Sequence, residues 1–515
     1  MRLTTVNYMS KTLLVALLAC TLLLGSEGNA KAAKDTLIIA QSADITTLDS
    51  TQATQIVNLN LFYNIYDALV TWNPEDIGKL MPKLALSWKN IDPVTWQFKL
   101  RQGVKFHNGE PFNAESVKFT VERLITKGVH QVYSGFATIE RAEIVDPYTV
   151  NIITKKPDPL LIKRFAAYGG QMLPSKYIKT VGWKTFGMKP IGTGPYKFVE
   201  WIKDDHITLV ANEDYWKGAP KIKKVIWRSI PENFPRVAAL TEGEIHIATK
   251  IIPDLVPLVE KAKNSRIEHT LTNLVTVYLV NCRKGPLAKK KVRQALNYAL
   301  DKEKIINELF GGYAIPIGSG IPNTDFGYNP AIKPYPYDQE KAKKLLAEAG
   351  YPNGFEFDVQ SGSGIHLNDK QLTEAVAAMY QEIGLRPRIG ILEPATRMKL
   401  LRGQTFPGLL LADPASTTYD ADGVLWRLRG PGGIIHKSWP GNYEGTHFYK
   451  IMEEARYSMD QKKREKLYHE AAQIWHDEAV EIFLFQGEMI DGVSNEINYK
   501  ARGDQRIYVT DISFR

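Results

Sequence analysis

Apolar positions recur along this chain in two rhythms, and each change of period marks a new element. From Thr95 to Leu100, Trp96, Phe98 and Leu100 alternate with Gln97 and Lys99, the period of a half-buried strand. His107-Asn108-Gly109-Glu110 then supplies turn chemistry, because Asn and Gly tolerate backbone angles other residues avoid. From Asn113, a candidate N-cap, Val117, Val121, Leu124 and Ile125 fall at i, i+4, i+7 and i+8, one face of an amphipathic helix. Further strands are predicted at Thr36–Gln41, Ile144–Ile152 (two pieces around an Asp-Pro turn), Lys221–Ile230, Glu244–Ala248 and Val275–Asn281, with helices at Ile56–Val70 and Pro157–Tyr168.

Beyond Gly285-Pro286 the rhythm becomes helical. Val292, Ala295, Leu296, Ala299 and Leu300 form a stripe; Asp301 caps the next helix, which closes at Gly311-Gly312, and Asp338 caps a third carrying Ala342, Leu345, Leu346 and Ala349. Strands at Phe355–Gln360, Arg388–Leu392 and Gly408–Leu411 then alternate with a helix at Gln371–Ile383, the pattern of an α/β layer. Two late helices carry Phe448, Ile451, Met452 and Ala455, then Leu467, Ala471, Ile474 and Trp475, before a last strong strand at Glu481–Gln486.

Length changes this picture by requiring more than one core: 515 residues exceed the roughly 250–300 at which single domains stop growing. A content of 44% hydrophobic and 23% charged residues is that of a soluble protein, and argues against both disorder and a polytopic membrane protein. Residues 1–30 read as an export signal: Arg2 and Lys11 precede the apolar run Thr12–Leu24, and small residues follow, with cleavage expected near Ala30. Leu17-Leu18-Ala19-Cys20 loosely resembles a lipoprotein box, but the apolar run continues past Cys20, which favours a soluble periplasmic product. Cleavage would leave Cys282 as the only cysteine, so no internal disulfide is expected. It would also remove Arg2, Lys11 and Glu27, lowering the formal charge from +9 to +8, spread in short surface clusters that call for no nucleic-acid partner.

Several blocks carry a family resemblance. Pro82-x-Leu84-Ala85-x-Ser87-Trp88, then Phe98-x-Leu100-Arg101-x-Gly103-Val104-Lys105-Phe106-His107-x-Gly109-x-Pro111-Phe112, resembles the segment by which the peptide/nickel family (family 5) of extracellular solute-binding proteins of ABC importers is known. Asn64–Leu69, Gly192-Thr193-Gly194-Pro195-Tyr196, Asn212–Gly218, Lys291–Asp301 and Tyr335–Gly350 match further blocks in order. The glycines at 192 and 194 lack the third glycine of a dinucleotide fingerprint and any Gly-Lys-Ser/Thr, so they read as structural turns. The resemblance implies an α/β, two-lobe periplasmic-binding-protein fold of class II, the large variety with an extra subdomain in lobe I, joined by a two-strand hinge. The expected division is 31–80 lobe I, 81–190 inserted subdomain, 191–282 lobe I again, 283–485 lobe II and 486–515 returning to lobe I.

It also implies a site. In peptide-binding members an Asp at an Asp-Pro-Asp motif receives the ligand's α-ammonium; here the motif is Asp420-Ala421-Asp422, so the expectation falls on Asp420, with Asp422 beside it. Capping of a local turn is the alternative use of these carboxylates. Tyr419, Trp426 and Trp439 are candidates to stack on a ligand or to fill core. Dipeptide-binding members hold the ligand carboxylate with an arginine after the strand matching Phe355–Gln360; this chain has Ser361-Gly362-Ser363-Gly364-Ile365-His366, so Ser361 and Gly362 are expected to leave room for another kind of solute. The first loop, with Thr47 and Leu48, is either near the cleft or an ordinary surface connection.

The expected function is capture of a small peptide-like or amine-bearing solute for an inner-membrane permease, by a monomer with no cofactor. A nickel, metal-chelate, sugar or opine receptor and a periplasmic chaperone are the alternatives. Ten histidines show no His-x-x-x-His or Cys-His spacing, and His436 and His447 flanking Trp439 are the best local metal case. Without Gly-x-Ser-x-Gly, His-Glu-x-x-His or Walker patterns, a hydrolase is not expected.

Overall fold

The computed structural model describes residues 35–431, 433, 435 and 445–515. The expectations placed on residues 1–34, on His436 and on Trp439 lie outside the described residues. The chain opens with β1 (Thr36–Gln41) and a helix over Ile56–Ile65, then pairs β2 (Val70–Trp72) with β3 (Leu80–Pro82). The alternating segment becomes β4 (Ala85–Asp92) and β5 (Thr95–Leu100), which join β6 (Ile139–Asp146) and β7 (Thr149–Thr154) in an antiparallel sheet of order β4-β5-β7-β6. The helix Ala114–Ile125 starts where Asn113 Oδ1 accepts from the Glu115 N–H at 3.0 Å, and it buries Val117, Val121 and Leu124 completely. Each such side chain contributes about 1.5–3 kcal/mol of burial. With Phe98, Val150, Ile152 and Phe165 they make a core of this segment's own.

Four of the sequence blocks that carry the family resemblance meet around one buried carboxylate. Asp67 accepts from Lys83 Nζ at 2.8 Å, Trp216 Nε1 at 3.0 Å, Thr193 Oγ1 at 3.1 Å and Tyr215 OH at 3.2 Å. His107 fastens the neighbouring turn: its Nδ1 accepts from the Gly192 N–H at 3.3 Å and its Nε2–H donates to the Gly194 carbonyl at 3.0 Å. Burial lowers its pKa to about 4, which keeps this ring neutral. A Cβ on Gly192 would lie 2.0 Å from the Ile65 carbonyl oxygen, so glycine is required by close backbone approach.

Apart from a small pair, Ile497–Asn498 with Ser513–Phe514, the remaining strands build one mixed sheet of 11 strands. They are β8 (Tyr196–Ile202), β9 (His206–Ala211), β10 (Lys224–Ser229), β11 (Ile247–Ala248), β12 (Ser265–Val280), β13 (Ala314–Pro316), β14 (Glu356–Gly362), β15 (Arg386–Leu392), β16 (Leu409–Ala412) and β17 (Glu481–Ser494), with β1. Their order is β15-β14-β16-β12-β17-β11-β1-β10-β9-β8, and β13 pairs with β17 outside that path. The β15-β14-β16 side of this order packs into one core, called lobe II below, and the β1-β10-β9-β8 side into another, called lobe I; β17 contributes residues to both, and β12 pairs with it along its length. Their antiparallel register breaks between Leu271 and Val275, where Thr272–Leu274 bulge opposite Gly487. Lobe II keeps a separate core around Val277, Leu296, Val376, Leu410, Trp475 and Phe483, with Cys282 buried in it as a free thiol. Lobe I packs Leu37, Leu61, Phe62, Tyr196, Trp227 and Val493.

Candidate functional site: the cleft between the lobes

A cavity of about 500 Å3 opens at the register break. Lobe I contributes Ser42, Asn233, Arg236 and Lys250–Pro253; the crossing strands contribute Thr272, Leu274, Phe485 and Gly487–Ile490; lobe II contributes Phe310, Tyr313, Gly364–Leu367, Leu372 and Asp413. The volume is in the range of small-molecule sites, and the wall is mostly apolar with a few polar groups, the usual composition of such a site.

On the lobe II side, His366 follows β14 and Asp413 follows β16, two neighbouring parallel strands. Their side chains pair, His366 Nδ1 to Asp413 Oδ2 at 2.7 Å. A carboxylate only accepts, so Nδ1 carries the proton, and in the tautomer protonated there alone Nε2 presents a lone pair. That Nε2 and Asp413 Oδ1 are both buried without a hydrogen-bond partner. Asp369 fixes the loop from beneath, its Oδ2 accepting from the Ile365 N–H at 2.9 Å and the His366 N–H at 3.4 Å.

On the lobe I side, Lys250 holds a left-handed backbone (φ 56°), with its N–H donated to Asp491 Oδ1 at 3.2 Å. Arg236, buried, sets this turn by donating to the carbonyls of Thr249 at 2.9 Å and Lys250 at 3.2 Å. Lys250 lines the cavity and is exposed to its open volume. Burial lowers its pKa, Asp491 opposes that, and Arg236 adds to it. Asp491 is itself pushed up to about 6 by burial. Glu488 completes the charged set and is bonded to His269 Nδ1. Among the described residues no group of three His, Cys, Asp or Glu is arranged to hold a metal ion.

The residues singled out in the sequence fall into three places. Tyr419, Asp420, Asp422 and Trp426 are brought together, but where lobe II meets the segment 72–164, and they are not part of the cavity wall just described. Asp420 is fully buried; its Oδ1 accepts from Arg464 Nη2 at 2.8 Å and the Asp422 N–H at 3.2 Å, while Lys163 Nζ lies 3.4 Å from Oδ2. Asp422 pairs with Arg456 at 2.7 Å; burial raises its pKa and Arg456 opposes that. Tyr419 packs edge-on against Trp72, centroids 5.1 Å apart, and Trp426 packs against Tyr449 at 5.6 Å. Ser361 and Gly362 end β14, buried behind the loop whose next residues line the cavity. Thr47 and Leu48 belong to lobe I: Thr47 Oγ1 accepts from the Asp49 N–H at 3.1 Å, and Leu48 is fully buried with its carbonyl bonded to Tyr66 OH at 2.6 Å.

Asp413, His366, Lys250 and Glu488 were not singled out from the sequence. One signal pointed to two of them: Asp413 and His366 stand just past the carboxyl ends of strands, where ligands bind in open α/β sheets.

Two lobes sharing two continuous strands, with a partly polar cavity at the crossing, define a bilobal solute-binding protein. The model of the bacterial extracellular solute-binding proteins, family 5 Middle, matches residues 79–435, and the chain belongs to this family. It is similar to the glutathione-binding protein GsiB of Pectobacterium atrosepticum, 30% identical over 480 residues that cover 90% of this chain and 91% of the relative. Among solved structures, HbpA2 from Haemophilus parasuis superposes with a TM-score of 0.84 at 25% identity, covering 93% of this chain and 100% of that one. DppA from Helicobacter pylori, solved in complex with the peptide STSA, superposes with a TM-score of 0.76 at 27% identity, covering 93% and 98%. The chain is a substrate-binding component of an ABC importer, and it captures a small solute between its lobes.

Proposed function

We propose that the solute is peptide-like and carries a primary amine, and that Asp413 and His366 receive that amine in the cleft. The observation that carries this reading is the pair of buried, unpartnered atoms, Asp413 Oδ1 and His366 Nε2. Both are acceptors, and leaving a buried acceptor unpaired costs about 1–3 kcal/mol. An ammonium group has several N–H donors and a positive charge, so it satisfies both at once. Lys250, across the cavity, offers a cation to a carboxylate at the ligand's other end, and the apolar wall of Ile251, Ile252, Phe310 and Leu367 takes its side chains. Relatives that bind glutathione and a peptide support an amine-bearing solute of this size.

In this reading the lobes close by bending at the β12–β17 register break, with 31–80, 191–282 and 486–515 forming lobe I, 81–190 its subdomain and 283–485 lobe II. Ligand contacts from both lobes favour the closed state, and the closed form is what an inner-membrane permease receives from this periplasmic, non-enzymatic, monomeric receptor. A metal-chelate, sugar or opine ligand remains the second reading, since the cavity's polar set is small. A thermal-shift screen of tripeptides, N-acetylated tripeptides, opines, sugars and nickel–histidine tests this, because a ligand stabilises by RT ln(1 + [L]/Kd). Shifts with free-amine peptides and none with their N-acetyl forms are expected; a shift only with opines, sugars or the chelate overturns the amine assignment.

A further inference from the structure

A second cavity, larger than the cleft at about 750 Å3, lies wholly within lobe I and its subdomain. Its wall comes from β2 and β3, the Tyr215–Lys221 turn and the C-terminal segment around Tyr508–Ser513, with no lobe II residue, so it is separate from the cleft. Five cationic side chains line it, Lys83, Arg101, Lys217, Lys221 and Arg502, against one carboxylate, Asp511.

Two of those cations are already engaged. Lys83 is bound to Asp67 at 2.8 Å, and Arg502 is bound to Asp504 at 2.8 Å and 3.5 Å from Asp511. The other three are not. Arg101 donates its Nε–H to the Lys83 carbonyl at 3.1 Å and stacks on Trp216 at 4.2 Å, which fixes the guanidinium while leaving its terminal nitrogens without a partner among the described residues. Lys217 and Lys221 are exposed and have neither ion pair nor hydrogen bond among the described residues. Two neutral groups of the wall add to this. The Trp72 indole N–H and the Tyr508 hydroxyl are buried without a partner, and Trp72 is only 1% exposed.

We propose that this cavity binds a phosphate group. Three cations without an ion pair and two unpaired polar groups, all on residues lining one volume, call for a ligand that is acceptor on every side. A phosphate monoester supplies three terminal oxygens and a charge of about −1.5 to −2 at neutral pH, more acceptors than the two oxygens of a carboxylate. Arg101, held flat by Trp216, presents the bidentate edge, and Lys217 and Lys221 act as point charges at the rim. The phosphate belongs either to a soluble phosphate ester or to a phospholipid headgroup; both present the same oxygens.

The test uses the full mature chain. Isothermal titration with glycerol phosphate reads the soluble source, and co-sedimentation with phosphatidylglycerol vesicles, against phosphatidylcholine vesicles, reads the headgroup. The paired change Lys217→Gln and Lys221→Gln removes two exposed charges with no buried partner, so the fold is kept; Arg101→Gln is the second variant. Saturable binding of glycerol phosphate, weakened at least tenfold in both variants, assigns a soluble ester. Sedimentation with phosphatidylglycerol alone, lost in both variants, assigns the headgroup. No saturable binding in either arm, or binding that the variants leave unchanged, overturns the proposal. Neither arm depends on what occupies the cleft.

Discussion

Asp420 and Asp413 stand seven positions apart in one loop, and replacing each by asparagine should have opposite consequences. Asp420 is completely buried between Arg464 at 2.8 Å and Lys163 at 3.4 Å. Removing its charge leaves Arg464 and Lys163 without this carboxylate, and breaking a buried pair from one side costs about 3–5 kcal/mol. In a lobe of roughly 200 residues each kcal/mol shifts the melting temperature by about 2–4 °C, so Asp420→Asn should melt about 6–20 °C lower. Asp413 has a 24% exposed side chain and, among the described residues, one hydrogen-bond partner, His366, with Arg397 acting on it through space. Its asparagine variant keeps an oxygen for that imidazole, so stability should hold within about 0.5 kcal/mol, the usual range for changes away from buried pairs. What it loses is a charge-assisted contact to the ligand amine, worth about 1.5–3 kcal/mol, or roughly a 10- to 150-fold rise in Kd.

The assay is thermal unfolding of both variants by circular dichroism, followed by calorimetric titration with the best amine-bearing ligand from the screen. An Asp420→Asn protein with wild-type melting and abolished binding would refute the structural role given to that carboxylate. Wild-type affinity in Asp413→Asn would refute its role in recognition.

Three further outcomes are expected. Burial pushes the Asp491 carboxyl up to about 6 from its ordinary 3.8, so its contribution to stability is full below about pH 4 and is lost as pH rises through 6. Asp491→Asn should therefore be more stable than the parent at pH 8 by up to about 3 kcal/mol and equal to it at pH 4, and a pH-independent difference in urea midpoints would contradict this. Gly192→Ala would put a methyl 2.0 Å from the Ile65 carbonyl oxygen, and it should yield little soluble protein; normal expression and melting would show that the turn yields. Lys163→Ala removes the contacts to Asp420 and to the Tyr419 carbonyl at 3.0 Å, so ligand-free protein should scatter X-rays as a more open particle; an unchanged radius of gyration would deny the contact that role.

Much of the architecture was legible because single residues carry it. Asn113, Asp301 and Asp338 each cap the helix their spacing announces, with cap bonds of 3.0, 2.9 and 2.8 Å. Gly311 ends its helix in the left-handed conformation, φ 59°. The long crossing strand was legible only in its second half. Val275–Val280 is apolar on both faces because lobe II covers both, whereas Ser265–Asn273 interleaves Arg266, Glu268 and His269 at a partly exposed position and carries no clean period. A strand whose surroundings change midway changes its pattern midway, so periodicity stops at the point where the lobes join.

The cleft residues were hidden for a different reason. The motif Asp420-Ala421-Asp422 was conspicuous for its carboxylates, but composition does not say whether a carboxylate keeps an unpaired oxygen. That depends on Arg464, Arg456 and Lys163, which lie 34 to 257 positions away from their partners and neutralise Asp420 and Asp422. Asp413 hydrogen-bonds only to an imidazole among the described residues, with the Arg397 guanidinium acting on it through space, and the imidazole's second nitrogen is left over as well. A carboxylate flanked by guanidinium groups is held by the fold, and one whose pairing is incomplete inside a cavity is available to a ligand. The distinction is one of long-range pairing, and it moves the centre of recognition from Asp420 to the ends of β14 and β16.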